Sequence, residues 1–253
     1  MTDLFSLEGK NALVTGGTRG IGLMITRGLL QAGAARVYVS SRKAEACARA
    51  VEELAEFGTA VAVPADVSTE AECLRLAEAV GDEPLHILVN NAGATWGAPL
   101  AEFPAAAWDK VIDLNLKAPF YLTRALLPQL RKAATEDDPA RVINIGSIDG
   151  IMVPGERYSY TTSKAGVHQL TRVLAKELGP EGITVNAVAP GPFESKMMAA
   201  TLEAFGDVIA SAVPMRRIGR PDDMAGVAVF LASRAGAFVN GAVIPVDGGL
   251  TTT

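Results

Sequence analysis

A doubly wound α/β domain, with a parallel sheet of about seven strands covered by helices on both faces, is the fold this sequence predicts. Three observations carry it. Short β-branched runs alternate with longer amphipathic stretches along the chain. Some runs are apolar at consecutive positions, as at Val142, Ile143 and Ile145. The first run leads straight into a glycine-rich turn and a helix pattern. Strands buried on both faces need helices on both sides, the arrangement of parallel sheets. With 253 residues, 49% of them hydrophobic and only 20% charged, the chain is long enough for one sizeable core. No Gly/Ser-rich or Pro-rich linker divides it, so residues 1–253 read as a single domain.

The expected strands are 11–15, 36–40, 60–64, 86–90, 141–147, 184–190 and 242–246. After the first, Ile21, Met24, Ile25 and Leu29 recur at helix spacing, with Gly33 as a stop signal. Thr69 and Glu72 form a capping-box pattern that opens the helix after the third strand. An amphipathic stretch over 158–179 separates the fifth and sixth strands. The long interruption at 191–213, rich in Met, Ala and Phe, precedes a helix beginning near Pro221 and reads as a lid or substrate loop.

Composition removes several classes of function. Twenty-three basic against 28 acidic residues give a net charge of −5, the wrong sign for binding a phosphate backbone. No stretch of 18 apolar residues occurs, since Arg234 and Asn240 interrupt the most apolar region, so no membrane span is expected. The opening MTDLFSLEGK shows neither a basic nor an apolar leader region, so a cytoplasmic location is expected. Cys47 and Cys73 fall in separate helices without CxxC spacing, as buried reduced thiols do. His86 and His168 belong to no HExxH or Cys/His arrangement, so no metal is expected. Gly146-Ser147-Ile148-Asp149-Gly150 is not a GxSxG elbow, and no GxxxxGK[ST] loop occurs, which sets aside hydrolase and kinase chemistry.

The turn Thr15-Gly16-Gly17-Thr18-Arg19-Gly20-Ile21-Gly22 lets backbone approach a pyrophosphate at the positive end of a helix. The sheet is therefore Rossmann-type, and Gly16, Thr18, Arg19, Gly20, Ile21 and Gly22 are candidate dinucleotide contacts. In such a sheet ligands lie beyond the carboxyl ends of the strands, where Asp66, Asn90 to Gly93, Ser147 and Pro190-Gly191 also fall. An NAD site usually places a carboxylate at the end of the second strand; here that stretch reads Ser40-Ser41-Arg42-Lys43. Arg42 and Arg19 suit a 2′-phosphate through charge-assisted hydrogen bonds, which favours NADP(H) over NAD(H). The alternative is that both arginines are solvated surface charges.

Tyr160 and Lys164 are four residues apart in the 158–179 stretch, so a helix puts them on one face. An ammonium there, helped by a cationic nicotinamide, is expected to lower the phenol from about 10 toward neutrality, which asks about 4 kcal/mol of the site and so implies burial. Ser147, at the end of the fifth strand, can hydrogen-bond a carbonyl oxygen beside the phenol.

Together these motifs resemble the short-chain dehydrogenase/reductase family over nearly the whole chain. TGGTRGIG at 15–22 is similar to its cofactor turn, Asp66-Val67 to its adenine contact, and Asn90-Asn91-Ala92-Gly93 to its NNAG segment. Asn115, Ser147, Tyr160 and Lys164 match the catalytic tetrad, and Pro190-Gly191 the segment lining the nicotinamide. The resemblance implies hydride transfer between a nicotinamide and a carbonyl carbon. Tyr160 exchanges the proton, Ser147 polarises the oxygen, Lys164 positions the cofactor ribose, and Asn115 holds a water that leads from Lys164 to solvent. It also implies a homotetramer with interfaces on the Tyr160 helix and the last strand. Taken singly, Asp66 could be a helix cap, Asn90 and Asn91 turn residues, and Asn115 a helix interruption.

Within the family the chain is similar to bacterial 3-oxoacyl-[acyl-carrier-protein] reductases of the rhamnolipid-biosynthesis type, in ARVINIGS, AKEL and NGAVIPVDGG. This implies a 3-oxoacyl thioester or a similar apolar ketone as substrate. Phe193, Met197, Met198 and Leu202, with Trp96, Met152 and Tyr158, either receive an apolar tail or pack the lid onto the body. Carrier-docking relatives present basic residues near the active-site entrance, whereas Glu136, Asp137, Asp138 and Glu181 stand at the corresponding places, which counts against an acidic acyl-carrier protein as partner. Two readings compete: an NAD(P)-dependent secondary-alcohol, sugar or steroid dehydrogenase, and a cofactor-sensing module without turnover. Asp149, in place of the small neutral residue expected there, either tunes substrate choice or forms a turn.

Overall fold

The computed structural model describes residues 2–252. Its strands are β1 (Asn11–Thr15), β2 (Arg36–Ser40), β3 (Ala60–Ala62), β4 (Ile87–Asn90), β5 (Ala140–Ile145), β6 (Ile183–Pro190) and β7 (Val243–Val246). They form one sheet in the order β3-β2-β1-β4-β5-β6-β7, all neighbours parallel. The order reverses direction between β1 and β4, the topological switch point where such sheets open a crevice. The helices are α1 (Gly20–Gln31), α2 (Ala44–Leu54), α3 (Glu70–Val80), α4 (Ala105–Ile112), α5 (Ala118–Ala125), α6 (Leu127–Ala133), α7 (Tyr158–Leu178), α8 (Ala199–Ala212) and α9 (Pro221–Ala232).

Alternate strand residues feed two separate apolar layers. Leu13, Leu88, Val142 and Val185 pack with Leu76, Leu122 and Leu178 on one face. Val14, Ile87, Ile143 and Val188 pack with Ile25, Leu29, Met224 and Leu231 on the other. Both faces of the central strands are thus covered, which accounts for their unbroken apolar runs. No helix among the described residues is long and apolar enough to cross a membrane.

Four expectations shift. The third strand ends at Ala62 instead of residue 64, although the Val63 amide still donates to the Val39 carbonyl at 3.0 Å. The fifth ends at Ile145, and Ser147 lies two residues beyond it, capping a short 3-10 turn at Ile148–Gly150. The 191–213 segment contains α8, which bends where Phe205 departs from helical geometry. The capping box at α3 is half realised, with Thr69 accepting from the Glu72 amide at 3.3 Å.

Candidate active site

A cavity of about 890 Å³ lies at the carboxyl ends of the strands, continuous with a smaller one of about 430 Å³ over the ends of β1 and β2. Its floor is the β1–α1 turn, where Gly16 (φ +65°) and Gly20 (φ +52°) hold left-handed conformations that favour glycine. A Cβ at Gly22 would stand 2.2 Å from the Gly16 carbonyl oxygen, so only glycine permits this close crossing. Thr15 and Asn91 tie the turn to β4. Thr15 Oγ1 accepts from the Asn91 and Ala92 amides at 3.0 and 3.1 Å, and Asn91 Nδ2 donates to the Thr15 carbonyl at 2.9 Å.

The start of α1 has no side-chain cap and no acidic residue in its first turn. Its first amides are left for an anion, the arrangement a pyrophosphate requires. The smaller cavity is lined by Thr18, Arg19, Ser40, Ser41, Arg42, Asp66 and Val67. The buried Ser40 hydroxyl there has no hydrogen-bond partner in the protein. Arg42 lies 3.9 Å from the Asp66 carboxylate, both largely exposed. These residues fit an adenosine ribose carrying a phosphate.

At the other end Ser147, Tyr160, Lys164, Pro190 and Gly191 line the larger cavity together. The Lys164 Nζ stands 5.7 Å from the Tyr160 ring centroid, one turn along α7, and donates to the Ile145 carbonyl at 2.7 Å. Burial pulls the Lys164 ammonium down to about 8, against a smaller upward pull from Asp149. Without a nicotinamide the phenol is shifted the other way. Burial holds Tyr160 above the ordinary tyrosine range; the Ser147 hydrogen bond and the Arg157 charge lower it, and Asp149 raises it. The protein alone therefore keeps the phenol protonated, because desolvation outweighs the local charges and the ammonium is directed at a backbone carbonyl.

Asn115 does not line the cavity. It is buried in a π-helical turn at Asp113–Lys117; its Oδ1 accepts from the Ala94 amide at 2.8 Å, and its Nδ2 donates to the Ala94 carbonyl and to Ser163 Oγ. Gly93 lies close to both Asn115 and the lysine: a Cβ there would lie 3.3 Å from Asn115 Oδ1 and 3.8 Å from Lys164 Nζ. Asn90 is likewise internal, donating to Asn144 and Thr123. The buried ring of His168 packs under Gly146 and Gly150 and is held down to about 4, by burial first and then by the Lys164 charge.

The lid divides its side chains between the two roles left open. Phe193 serves both, buried with its ring filling the space above Gly219 and also lining the cavity, whereas Met197 and Met198 line it with Ile209. Tyr158 packs edge-on against Phe103 at 5.5 Å, and Trp96 is half-exposed. Sequence reasoning passed over Lys110, Arg157 and Lys196, which also line the cavity. Of these only Arg157 carried a signal, standing three residues before the phenol. With Arg19, Arg42 and Lys164, six cationic side chains face three carboxylates (Asp66, Asp113, Asp149) in a chain whose net charge is negative.

The acidic residues weighed against a carrier protein lie elsewhere. The loop holding Glu136, Asp137 and Asp138 precedes β5, and Glu181 precedes β6. These are amino ends of the strands, opposite the cavity. Asp138 pairs with Lys10 at 2.5 Å and with buried Arg141 at 2.9 Å, and Glu181 pairs with Arg131. The charge argument does not act at this chain's own cavity mouth.

The family model described as enoyl-(acyl carrier protein) reductase matches residues 16–251. A Pseudomonas aeruginosa protein named as a rhamnolipids biosynthesis 3-oxoacyl-[acyl-carrier-protein] reductase is 51% identical, with 98% of this chain and 99% of that protein covered. A 5-keto-D-gluconate 5-reductase of Escherichia coli is 38% identical, with 99% and 98% covered. Among solved structures, the Pseudomonas aeruginosa RhlG/NADP active-site complex superimposes with a TM-score of 0.95 at 50% identity, covering 99% of this chain and all of that one.

Proposed function

The chain belongs to the short-chain dehydrogenase/reductase family, and from that premise we propose that it is an NADP(H)-dependent oxidoreductase that reduces a 3-oxoacyl thioester or similar apolar ketone to the secondary alcohol. One observation carries the reading: Ser147, Tyr160 and Lys164 converge in a single cavity that runs on to the uncapped start of α1. The relative of 51% identity is named for 3-oxoacyl reduction, and a structural neighbour holds NADP.

Gly16, Thr18, Arg19, Gly20, Ile21 and Gly22 would hold the dinucleotide's phosphates, with Arg42 and Ser40 at the 2′-phosphate and Asp66 and Val67 at the adenine. Ala92, Gly93, Pro190 and Gly191 would flank its other end. When bound, the nicotinamide supplies the hydride. Ser147 directs its hydroxyl at the substrate oxygen, since its Oγ already accepts from the Asp149 amide at 3.1 Å and keeps its own proton to donate. Tyr160, held protonated by burial, gives that oxygen its proton as the carbon is reduced. Lys164, whose Nζ donates to the Ile145 carbonyl, would hold the cofactor ribose and return a proton to the phenol. Asn115 serves by fixing Ala94 and Ser163 around Lys164.

The partner reading is a homotetramer in the cytoplasm, the interfaces lying on α7 and β7. Exposed Val173 on α7 and the half-buried β7 at the sheet edge support it, as two free buried thiols support a reducing compartment.

The test offers NADPH and NADH with 3-oxoacyl thioesters of coenzyme A and of acyl-carrier protein, free ketones, keto-sugar acids and steroids. Thioester reduction with NADPH is the expected result. Tyr160→Phe keeps the ring and removes the acid, so kcat falls roughly 10²- to 10⁴-fold; near-normal turnover would defeat the assignment. Exclusive use of keto-sugar acids selects the sugar dehydrogenase reading, and cofactor binding without reduction of any carbonyl selects the sensor.

A further inference from the structure

The ion pair between Asp149 and Arg157 takes part in no step described above, yet both side chains line the cavity beside the reacting groups. The Asp149 amide donates to Ser147 Oγ at 3.1 Å, and its carboxylate accepts from Arg157 Nη1 at 3.1 Å. Arg157 stands at the mouth of α7, three residues before Tyr160, and its carbonyl accepts from the Thr161 amide at 2.9 Å. The helix start thus holds the arginine backbone and the serine turn holds its counter-ion. Asp149 is 14% exposed and Arg157 38%.

A guanidinium carries five N–H donors in a rigid fork. Among the described residues Asp149 is its one hydrogen-bond partner, so donors remain on the side that lines the cavity. The neighbouring carboxylate cancels most of its charge at a distance, which weakens attraction for a full anion while leaving directional donors for a neutral acceptor oxygen. Carbonyl oxygens on carbons separated by one methylene lie roughly 3–5 Å apart from ordinary bond lengths. Residues three apart at a helix start are similarly spaced, about 5–6 Å between Cβ atoms.

We propose that Arg157 is a specificity-determining residue that donates a hydrogen bond to a second carbonyl oxygen, one methylene removed from the carbonyl reduced at Ser147 and Tyr160. Asp149 is the positioning residue that holds it there. The preferred substrate class is then a 1,3-dicarbonyl, thioester or ester, over a simple ketone of equal length. The inference rests on the reading of the chain as a carbonyl reductase.

The experiment measures kcat/KM with NADPH for a 3-oxoacyl N-acetylcysteamine thioester, the matching 3-oxoacyl methyl ester and the 2-alkanone of the same chain length. Its readout is the ratio of each dicarbonyl to the ketone. In Arg157→Met that ratio falls roughly 10- to 100-fold, the worth of a hydrogen bond from a charged donor. Arg157→Lys, which keeps a cation within reach, falls less and carries the test if the methionine variant does not fold. Asp149→Asn lowers the ratio in the same direction and Asp149→Glu restores part of it, a pattern that general loss of packing does not produce. Ratios within about threefold of wild type in both Arg157 variants overturn the proposal, as does a wild type without preference for either dicarbonyl. A wild type that prefers the ester but rejects the thioester overturns the thioester reading and leaves the role of Arg157 standing.

Discussion

Lys164 is held in a site that costs the fold stability, and replacing it by methionine should show this directly. Burial brings its ammonium from an ordinary 10.5 to about 8. At about 1.36 kcal/mol per pH unit this is on the order of 3 kcal/mol against the folded state at pH 7. Lys164→Met removes that cost but strips the Ile145 carbonyl of its donor at 2.7 Å, which returns about 1–2 kcal/mol. The variant is therefore expected to be about 1–2 kcal/mol more stable than wild type at pH 7, while losing turnover. The pH dependence has a definite sign. Below about 8 the lysine is charged in both states and the cost is complete; between about 8 and 10.5 the unfolded chain binds the extra proton, so wild-type stability rises with pH. At pH 9.5 the cost is down to roughly 1.4 kcal/mol and the advantage of the variant is gone. Urea unfolding at pH 7 and 9.5, at one protein concentration, reads this as a midpoint difference at unchanged slope. A variant less stable than wild type at pH 7, or an advantage that does not shrink at pH 9.5, would refute the claim that Lys164 is a desolvated ammonium.

Two further outcomes test the cofactor end. Gly22→Ala puts a methyl 2.2 Å from the Gly16 carbonyl oxygen, so the turn must open. A loss of about 1–3 kcal/mol in thermal unfolding should accompany at least tenfold weaker NADPH binding by fluorescence titration, and wild-type affinity would contradict the placement of the phosphates. Arg42→Ala removes an exposed cation whose nearest carboxylate is 3.9 Å away; solvent screening limits its worth, and the ratio of NADPH to NADH affinity should fall roughly two- to fivefold. An unchanged ratio would leave Arg42 as a surface charge.

The β1 and β2 bounds were legible residue by residue, because each is a five-residue segment with three consecutive hydrophobic residues at its centre, ended by the turn chemistry that follows it. The helix of the lid was not: none of the side chains of α8 is buried, so its apolar positions Leu202, Phe205 and Ile209 answer to no core, and its bend at Phe205 breaks the helical regularity. The site residues were legible where spacing alone determines proximity, as with Tyr160 and Lys164 one helical turn apart. Asn115 matched a motif, but its hydrogen bonds to Ala94 and Ser163 arise from a π-helical turn that no local pattern announces. The carboxylates Asp138 and Glu181 show the same limit. Their charge is readable from the chain, whereas the end of the sheet they occupy and the cations that neutralise them are not.

The phenol exposes why spacing yields a partner but not a direction. Helix geometry places an ammonium beside Tyr160, and in a solvated site that charge would lower the phenol. Here the same burial that brings the two together penalises both charged forms, raising Tyr160 and lowering Lys164. The two shifts are one desolvation effect seen on an acid and on a base. Its consequence is directional: a protonated phenol beside a lysine that releases its proton near pH 8 is arranged to donate. The protein alone therefore favours delivering a proton to a carbonyl oxygen, and oxidation of the alcohol requires the added positive charge of the oxidised nicotinamide to draw the phenol down. Reduction should accordingly hold its rate through neutral pH, while oxidation should gain as pH rises.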